Sequence, residues 1–411
     1  MSVASSLLRY AKSAFRPVGL ESVFLFVTST CNSLCRTCFY WDELNKGRDL
    51  TFKQIRTLSE TAPPFHKLWI SGGEPFLRKD LAEVVELFYR NNGMRHVNLP
   101  TNGLLPKKLE SVVDYLTQNC PELTVDLNFS LDGLANTHDA IRGVPNNFEK
   151  TLATIHFAEE RYAANRKVRR NIVSCITAEN YKELVALGLK MLCETSSDGQ
   201  YFEIIRGNPM DPDLKRLPPE ELHELHRKLM WFHEQYADKL YAHLAQPARG
   251  LAKAFYLGNI KLHFDIHQQN HYSNKAWPMP CTAGQTTIVI DHDGHFRSCE
   301  LREKLGRVQD YDFDLTKALQ SDAMKQEITD IPKAQCWCTH ACFVHSSTKF
   351  SPKVLLFTIP WAYLRHRWDR LPEITAEEIE PFRVSDAPTT PRKPKEGLNE
   401  APASAGLVDL R

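Results

Sequence analysis

Three cysteines stand close together near the N-terminus, directly after an apolar stretch that reads as a β-strand. They are Cys31, Cys35 and Cys38, in the spacing CxxxCxxC, and the strand precedes them at 22–28. Three thiolates on a loop that leaves a strand can bind three irons of a [4Fe–4S] cluster, so the fourth iron lacks a protein ligand and can react. Structural zinc is the alternative, but three cysteines do not complete its tetrahedral site, and the next one, Cys120, is distant in the chain.

Short polar motifs follow the next three predicted strands. They are Gly72-Gly73-Glu74-Pro75, then Thr101-Asn102-Gly103, then the pair Ser130-Leu131-Asp132-Gly133 and His138-Asp139-Ala140-Ile141-Arg142-Gly143. An isolated glycine pair or Asn-Gly indicates only a turn. In this order after CxxxCxxC, the motifs resemble those of the radical S-adenosylmethionine (radical SAM) superfamily, and the resemblance covers about residues 21–206.

The resemblance implies a role for each motif. Gly72, Gly73 and Glu74 would bind the methionine amine of SAM, and Asn102 would lie near its adenosine. Ser130 and Asp132 would contact the ribose or carboxylate region, and the rigid donor fork of Arg142 would bind the carboxylate. In this superfamily the open iron chelates SAM, and one electron cleaves SAM to methionine and a 5′-deoxyadenosyl radical, which abstracts a hydrogen atom from the substrate.

Apolar strands alternate with amphipathic helical patterns through the same region. The predicted strands are 22–28, 67–71, 95–99, 123–131, 168–176 and 201–205, and the predicted helices are 51–60, 79–92, 106–118, 147–165 and 179–193. Repeated βα units indicate an α/β fold with a parallel sheet and outer helices. By resemblance, the fold class is a partial (β/α)6 TIM barrel followed by a small cysteine-rich domain. Functional groups gather at the carboxyl ends of such strands.

A second cysteine group lies in the C-terminal half, at Cys281, Cys299, Cys336, Cys338 and Cys342. The stretch between the first two reads as a β-hairpin with Asp293-Gly294 at its turn. The spacing resembles the SPASM and twitch auxiliary-cluster domains, although the full SPASM cysteine pattern is absent. One auxiliary [4Fe–4S] cluster is therefore expected, with Cys281, Cys299 and Cys342 as ligands and either Cys336 or Cys338 as the fourth. Zinc on the same thiols is the alternative, with His292, His295 and His340 as substitute ligands.

Charge and cysteine usage bear on the binding partners and the cellular compartment. A net charge of +1 argues against general nucleic-acid binding, and the basic run 166–170 reads as the solvated end of a helix. Clustered thiols without a secretory signal pattern indicate a reducing cytoplasm. Cys120, Cys175 and Cys193 stand alone in apolar segments and are expected to be small core residues.

We expect six regions along the chain. They are an amphipathic N-terminal segment (1–20), the radical SAM core (21–215), a helical linker (216–280), the auxiliary-cluster domain (281–345), an apolar and basic segment (346–383) and a disordered tail (384–411). Segments 6–16 and 353–368 mix apolar and basic residues, so each either lies in a membrane interface or caps the barrel.

The expected function is hydrogen abstraction from a small-molecule or peptide substrate, with a flavodoxin- or ferredoxin-type electron donor. A non-catalytic iron–sulfur electron carrier or scaffold is the alternative, although such a protein would not need a SAM site.

Overall fold

The computed structural model describes residues 19–369 and 374 of the chain. The N-terminal segment 6–16 and the tail 384–411, for which the sequence made specific predictions, lie outside the described residues. None of the helices in the described part is long and apolar enough to cross a bilayer.

Six parallel strands form the first part of the sheet, in the spatial order β6-β5-β4-β3-β2-β1. Their bounds are β1 Ser22–Thr28, β2 Lys67–Gly72, β3 His96–Thr101, β4 Thr124–Ser130, β5 Val168–Ile176 and β6 Gly199–Ile204. Each strand neighbours the next along the chain, with helical segments as the connections. The predicted fold class, a partial (β/α)6 barrel, is confirmed.

Outer helices connect these strands. They are α1 Phe52–Thr61, α2 Leu81–Asn91, α3 Pro106–Asn119, α4 Ala135–Arg142, α5 Asn147–Tyr162 and α6 Leu184–Glu194. Thr51 begins α1 with a capping box, in which its hydroxyl accepts from the Gln54 amide and the Gln54 side chain accepts from the Thr51 amide. Helix α4 is not among the helices that the apolar pattern predicts, although His138-Asp139 in the sequence favours a helix start with an acidic first turn. It ends at Gly143, whose left-handed φ of 64° costs glycine little.

Successive side chains of β1 and β2 face two different environments, the main apolar core and the barrel interior. Leu68 and Ile70 of β2, like Val23 and Leu25 of β1, pack into the main apolar core beneath the helices. Trp69 faces the other way and stacks on Phe24, with ring centroids 5.2 Å apart. Because side chains alternate across a strand, this second face lines the barrel interior.

Two long helices and a hairpin complete the structure. Helices α7 Pro219–Leu240 and α8 Ala248–Tyr272 follow β6, within the stretch 216–280 expected as a helical linker. Strand β7 Thr287–Ile290 pairs parallel to β1, and it forms the predicted hairpin with β8 His295–Arg297, followed by β9 Gly306–Arg307. The remaining helices are α9 Leu315–Leu319, α10 Asp322–Lys333, α11 Ala341–Thr348 and α12 Ile359–Trp368, with a π-helical turn at Val354–Thr358.

Two minor predictions from the sequence are wrong. Arg169 and Arg170 do not form a solvated helix end, because they lie in β5 and pair with Asp126 and Asp198 at 2.5 and 2.8 Å. Cys175 is not a plain core residue, because it alternates onto the inner face of β5, opposite the buried Ile176.

Candidate cofactor site and barrel interior

The CxxxCxxC loop leaves the carboxyl end of β1 and is fixed by polar contacts. Asn45 accepts a hydrogen bond from the Cys31 amide at 3.0 Å, and the Leu34 amide donates to the Arg142 carbonyl at 3.2 Å. The Cys38 amide donates to the Cys35 carbonyl at 3.0 Å, which closes a turn. The three thiols are therefore presented on an ordered loop at the mouth of the barrel.

The two glycines of the second motif lie against the backbone of this loop. A Cβ on Gly72 would stand 2.3 Å from the Thr28 carbonyl oxygen, and one on Gly73 would stand 2.1 Å from the Thr30 carbonyl oxygen. The Gly73 and Glu74 amides donate to these same oxygens at 2.8 and 2.9 Å. Glycine is required here because the cysteine loop itself approaches so closely.

Glu74 joins the second motif to the third. Its carboxylate is buried and accepts hydrogen bonds from the Asn102 amide at 2.8 Å, the Thr101 hydroxyl at 3.1 Å and the Phe76 amide at 3.3 Å. Burial raises its pKa to about 7, against the lowering effect of these donors.

Asn102 connects the third motif to the cysteine loop. Its side-chain amide donates to Asn32 Oδ1 at 2.8 Å and to Ser33 Oγ at 2.9 Å. Three separate motifs therefore form one hydrogen-bonded unit around the thiols.

Arg142 lies beside the thiols and pairs with Asp132. Its Nη2 is 2.8 Å from Asp132 Oδ2, and its Nη1 donates to Cys35 Sγ at 3.6 Å. The paired Asp132 carboxylate and the neighbouring Cys35 raise the pKa of the arginine despite its burial, so it remains a cation. Its Nε is buried and has no acceptor among the described residues. A buried donor without an acceptor fits a missing anionic group such as a carboxylate.

The thiols of the cysteine loop are buried and interact with one another. Burial, together with the neighbouring Cys35, raises the pKa of Cys31 to about 11 and that of Cys38 to about 12. Among the described residues, no three Cys, His, Asp or Glu side chains are placed to hold one metal ion together. The loop offers the three thiolates that a [4Fe–4S] cluster with one open iron requires.

The barrel interior beyond Arg142 is polar. Asn171 of β5 donates to Asn128 Oδ1 of β4 at 3.1 Å, and Ser130 follows on the same inner face of β4. Glu203 of β6 also faces inward, since Phe202 and Ile204 on either side lie in the main core. This carboxyl has no hydrogen-bond partner among the described residues, and burial raises its pKa to about 7.

Four of the C-terminal cysteines interact electrostatically with one another. Burial raises the pKa of Cys338 to about 12, with Cys336 and Cys281 adding to the rise, and the pKa of Cys299 is raised by burial and by Cys338 and Cys281. A cavity of about 320 Å³ opens beside Cys281 and Cys336, between Trp277 and Trp337. Backbone amides of His340 and Leu301 donate to the sulfurs of Cys338 and Cys299 at 3.4 and 3.5 Å. Four thiols, amide donors to sulfur and adjoining space fit one auxiliary cluster.

Cys342 packs against the same apolar cluster as Cys281 and Cys338. Burial raises its pKa to about 12, with Glu203 and Glu300 adding to the rise and Arg206 and Lys67 opposing it. Arg206 also acts on Cys338, and Glu300 also acts on Cys299. Cys342 is therefore a candidate ligand together with the other C-terminal thiols.

The three histidines considered as alternative ligands have other partners. His292 lies 2.5 Å from the Tyr40 hydroxyl, His295 lies 2.8 Å from Asp293, and His340 Nε2 lies 2.8 Å from Glu300. Glu300 also accepts from Arg206 at 2.9 Å, which connects the auxiliary module to the end of β6.

Two site residues escaped the sequence reasoning. His138 is fully buried, and its Nδ1 accepts from the Asp132 amide at 3.0 Å, so it positions the Asp132 loop. Glu203 precedes the predicted strand end at Ile205 and was not singled out. Its signal is an acidic residue between two apolar ones, which on a buried strand indicates an inward-facing charge.

Comparison with known proteins agrees with this geometry. Residues 25–186 match the sequence profile of the Radical SAM superfamily. A GTP 3′,8-cyclase of Haemophilus influenzae (strain PittGG) is 30% identical over 138 residues, which are 30% of this chain and 40% of the relative. An Fe-coproporphyrin III synthase of Methanosarcina barkeri (strain Fusaro / DSM 804) is 30% identical over 184 residues, which are 41% of this chain and 42% of the relative. The chain thus spans less than half the length of these curated relatives.

Solved structures share the fold over a longer stretch. The anSMEcpe protein with bound AdoMet and Kp18Cys peptide superposes with a TM-score of 0.55 at 18% identity, covering 85% of this chain and 97% of the other. Streptococcus suis SuiB bound to its precursor peptide SuiA superposes with a TM-score of 0.52 at 15% identity, covering 79% of this chain and 70% of the other. At these identities the likeness shows the fold.

Proposed function

The chain carries a domain of the radical SAM superfamily, and from that premise we propose that it is an enzyme that abstracts hydrogen from a small-molecule or peptide substrate bound inside the barrel. Domains of this superfamily use a [4Fe–4S] cluster and SAM, which together supply a 5′-deoxyadenosyl radical when bound. Cys31, Cys35 and Cys38 would hold the cluster. The non-catalytic electron carrier is the alternative.

One observation carries this proposal, namely the convergence of four separate motifs on the cysteine loop. Glu74 and Asn102 connect their loops to it through hydrogen bonds, and Arg142 lies between Asp132 and Cys35. The free Nε of Arg142 supplies a donor for the SAM carboxylate. An electron carrier would have no use for a buried arginine with an unoccupied donor next to its cluster, because burying such a group is costly.

The substrate would lie between this site and the auxiliary module. Glu203 is in register with Cys175 of β5. Cys175 lies within electrostatic range of Asp132 in the cofactor site and of Arg206 next to the auxiliary module. The Glu203 carboxyl would therefore lie between the cofactor site and the auxiliary module. A carboxyl whose pKa is about 7 is available in both protonation states near neutral pH. We assign Glu203 the role of binding a substrate hydroxyl or amine and exchanging a proton with it.

The second cysteine group would hold one auxiliary cluster. We assign Cys281, Cys299 and Cys342 as its ligands, with either Cys336 or Cys338 as the fourth. A flavodoxin- or ferredoxin-type protein would deliver the electron in the cell.

The test is SAM cleavage by anaerobically reconstituted protein. With dithionite, the wild type should release 5′-deoxyadenosine, and the Cys31→Ala, Cys35→Ala, Cys38→Ala triple variant should not. Cys193→Ala is the matched control, because it removes a half-buried thiol of α6 outside both cysteine groups. Equal product from the wild type and the triple variant would contradict the proposal. No product from a wild type that holds its clusters would favour the electron carrier.

A further inference from the structure

The C-terminal helix presents a continuous apolar face to solvent. Its large exposed residues begin with the adjacent pair Leu356 and Phe357 and then follow at spacings of four, three and four to the end of α12. They are Leu356, Phe357, Trp361, Leu364 and Trp368, with exposed fractions of 65%, 69%, 51%, 43% and 66%. This spacing places them on one side of a helix, and we call them the outer stripe.

The opposite side of the same helix is also apolar and packs on the protein. Val354, Ile359 and Ala362 are buried, and Gly258 of α8 allows the close approach, since a Cβ there would stand 2.4 Å from the Ile359 carbonyl oxygen. The sequence offered a choice between capping the barrel and lying in a membrane interface. In the structure one side of this helix packs on the body while the outer stripe remains uncovered among the described residues.

Two exposed cations flank the stripe. Residues 351–368 contain Lys353, Arg365 and Arg367 and no carboxylate, although Asp369 follows directly. Arg365 pairs with Asp265 of α8 at 2.6 Å, so its charge is compensated. Lys353 and Arg367 lie at opposite ends of the stripe, both exposed and without an ion-pair partner among the described residues.

We propose that this face binds the surface of an anionic membrane. Apolar side chains of Trp, Phe and Leu flanked by cations are typical of segments that lie in a lipid interface. The apolar side chains enter the boundary between headgroups and acyl chains, and the cations contact the headgroups. Leu251 and Phe255, exposed one turn apart on α8, enlarge the apolar area. The inference does not depend on the proposed enzymatic function, because it uses none of the cofactor-site residues.

The test is sedimentation of the full-length protein with vesicles. We expect binding to vesicles containing about 30% phosphatidylglycerol, little binding to phosphatidylcholine alone, and release by salt, since the electrostatic part is screened. The Phe357→Ser, Trp361→Ser, Trp368→Ser variant should bind at least about tenfold more weakly, because it loses three apolar side chains.

A charge variant keeps the proposal testable if the stripe variant folds poorly. Lys353→Glu with Arg367→Glu should also lose binding. Its matched control, Lys317→Glu with Lys325→Glu, changes two exposed cations on α9 and α10 and should bind like the wild type. Thermal unfolding and light scattering of each variant report folding and oligomeric state.

Several outcomes would overturn the proposal. One is a wild type that stays in the supernatant with anionic vesicles, and another is equal, salt-insensitive binding to neutral vesicles. A wild-type dimer that the stripe variant converts to a monomer, without vesicle binding, would assign the face to a second copy. Binding that survives in the stripe variant and is lost only in Leu7→Ser, Leu8→Ser, Phe15→Ser would assign it to the N-terminal segment.

Discussion

Replacing Glu203 with Gln should change how the stability of the protein depends on pH. Burial raises the pKa of this carboxyl from 4.5 to about 7, and Arg206 opposes the rise only in part. A pKa that is higher in the folded than in the unfolded state means that folding favours the protonated carboxyl. Its contribution to stability is complete below the unfolded pKa and is lost as the pH rises through 7.

The size of the effect follows from that shift. One pKa unit corresponds to about 1.4 kcal/mol, so the free energy of unfolding of the wild type should fall by about 2–3 kcal/mol relative to Glu203→Gln between about pH 5 and about pH 8. Glu74, whose pKa is also raised to about 7, is present in both proteins, so its effect cancels in the difference.

Urea unfolding of the metal-free protein, followed by tryptophan fluorescence across this pH range, measures the difference. The Glu149→Gln variant, which neutralises an exposed carboxylate of α5, is the control and should track the wild type. A wild-type-to-Glu203→Gln difference that stays constant with pH within about 0.5 kcal/mol would refute the reasoning, because an unshifted group contributes no such slope. Glu203 would then be solvated and poorly suited to exchange protons near pH 7.

Three further results are expected at the cofactor sites. Reconstituted wild type should hold about eight irons, four per cluster, and the count should fall to about four in Cys342→Ser; about eight irons in that variant would show that Cys342 is not a ligand. Arg142→Lys keeps the positive charge but loses the donor fork of arginine, so equilibrium dialysis should show SAM affinity lower by about tenfold or more at unchanged iron content. Unchanged affinity would show that Arg142 does not bind the SAM carboxylate. Gly73→Ala places a Cβ 2.1 Å from a carbonyl oxygen of the cysteine loop, so the iron content should fall to about four per chain, whereas the Gly250→Ala control should keep about eight. Full iron content in Gly73→Ala would show that the cysteine loop can shift to accommodate the added Cβ.

The barrel was predictable because each of its strands is a continuous apolar or alternating run. Predicted strand ends lie within two residues of the observed ones, as with 67–71 against Lys67–Gly72. Helix α4 has no periodic apolar signal because it is only eight residues long, and the pair His138-Asp139 alone indicated a helix start there.

The site was predictable only as far as motifs are local in sequence. The cysteine loop and the motifs with Glu74 and Asn102 could be ordered along the chain, but their mutual hydrogen bonds depend on strand order. Arg206 and Glu300, which pair in the structure, are 94 positions apart in the sequence, and no sequence spacing predicts such a contact.

The polarity of the interior bears on which part of a substrate the barrel can hold. Asn128 and Asn171 pair across two strands, and Glu203 lacks a hydrogen-bond partner among the described residues, so the interior can bind hydroxyl, amine or amide groups. A long hydrocarbon chain would leave the Glu203 carboxyl desolvated and without a hydrogen-bond partner, at a cost of about 1–3 kcal/mol. Membrane binding through the outer stripe therefore does not imply that an acyl chain enters the barrel. If the substrate is attached to a lipid, its polar end is the part that this interior would accept, and the apolar end would remain outside.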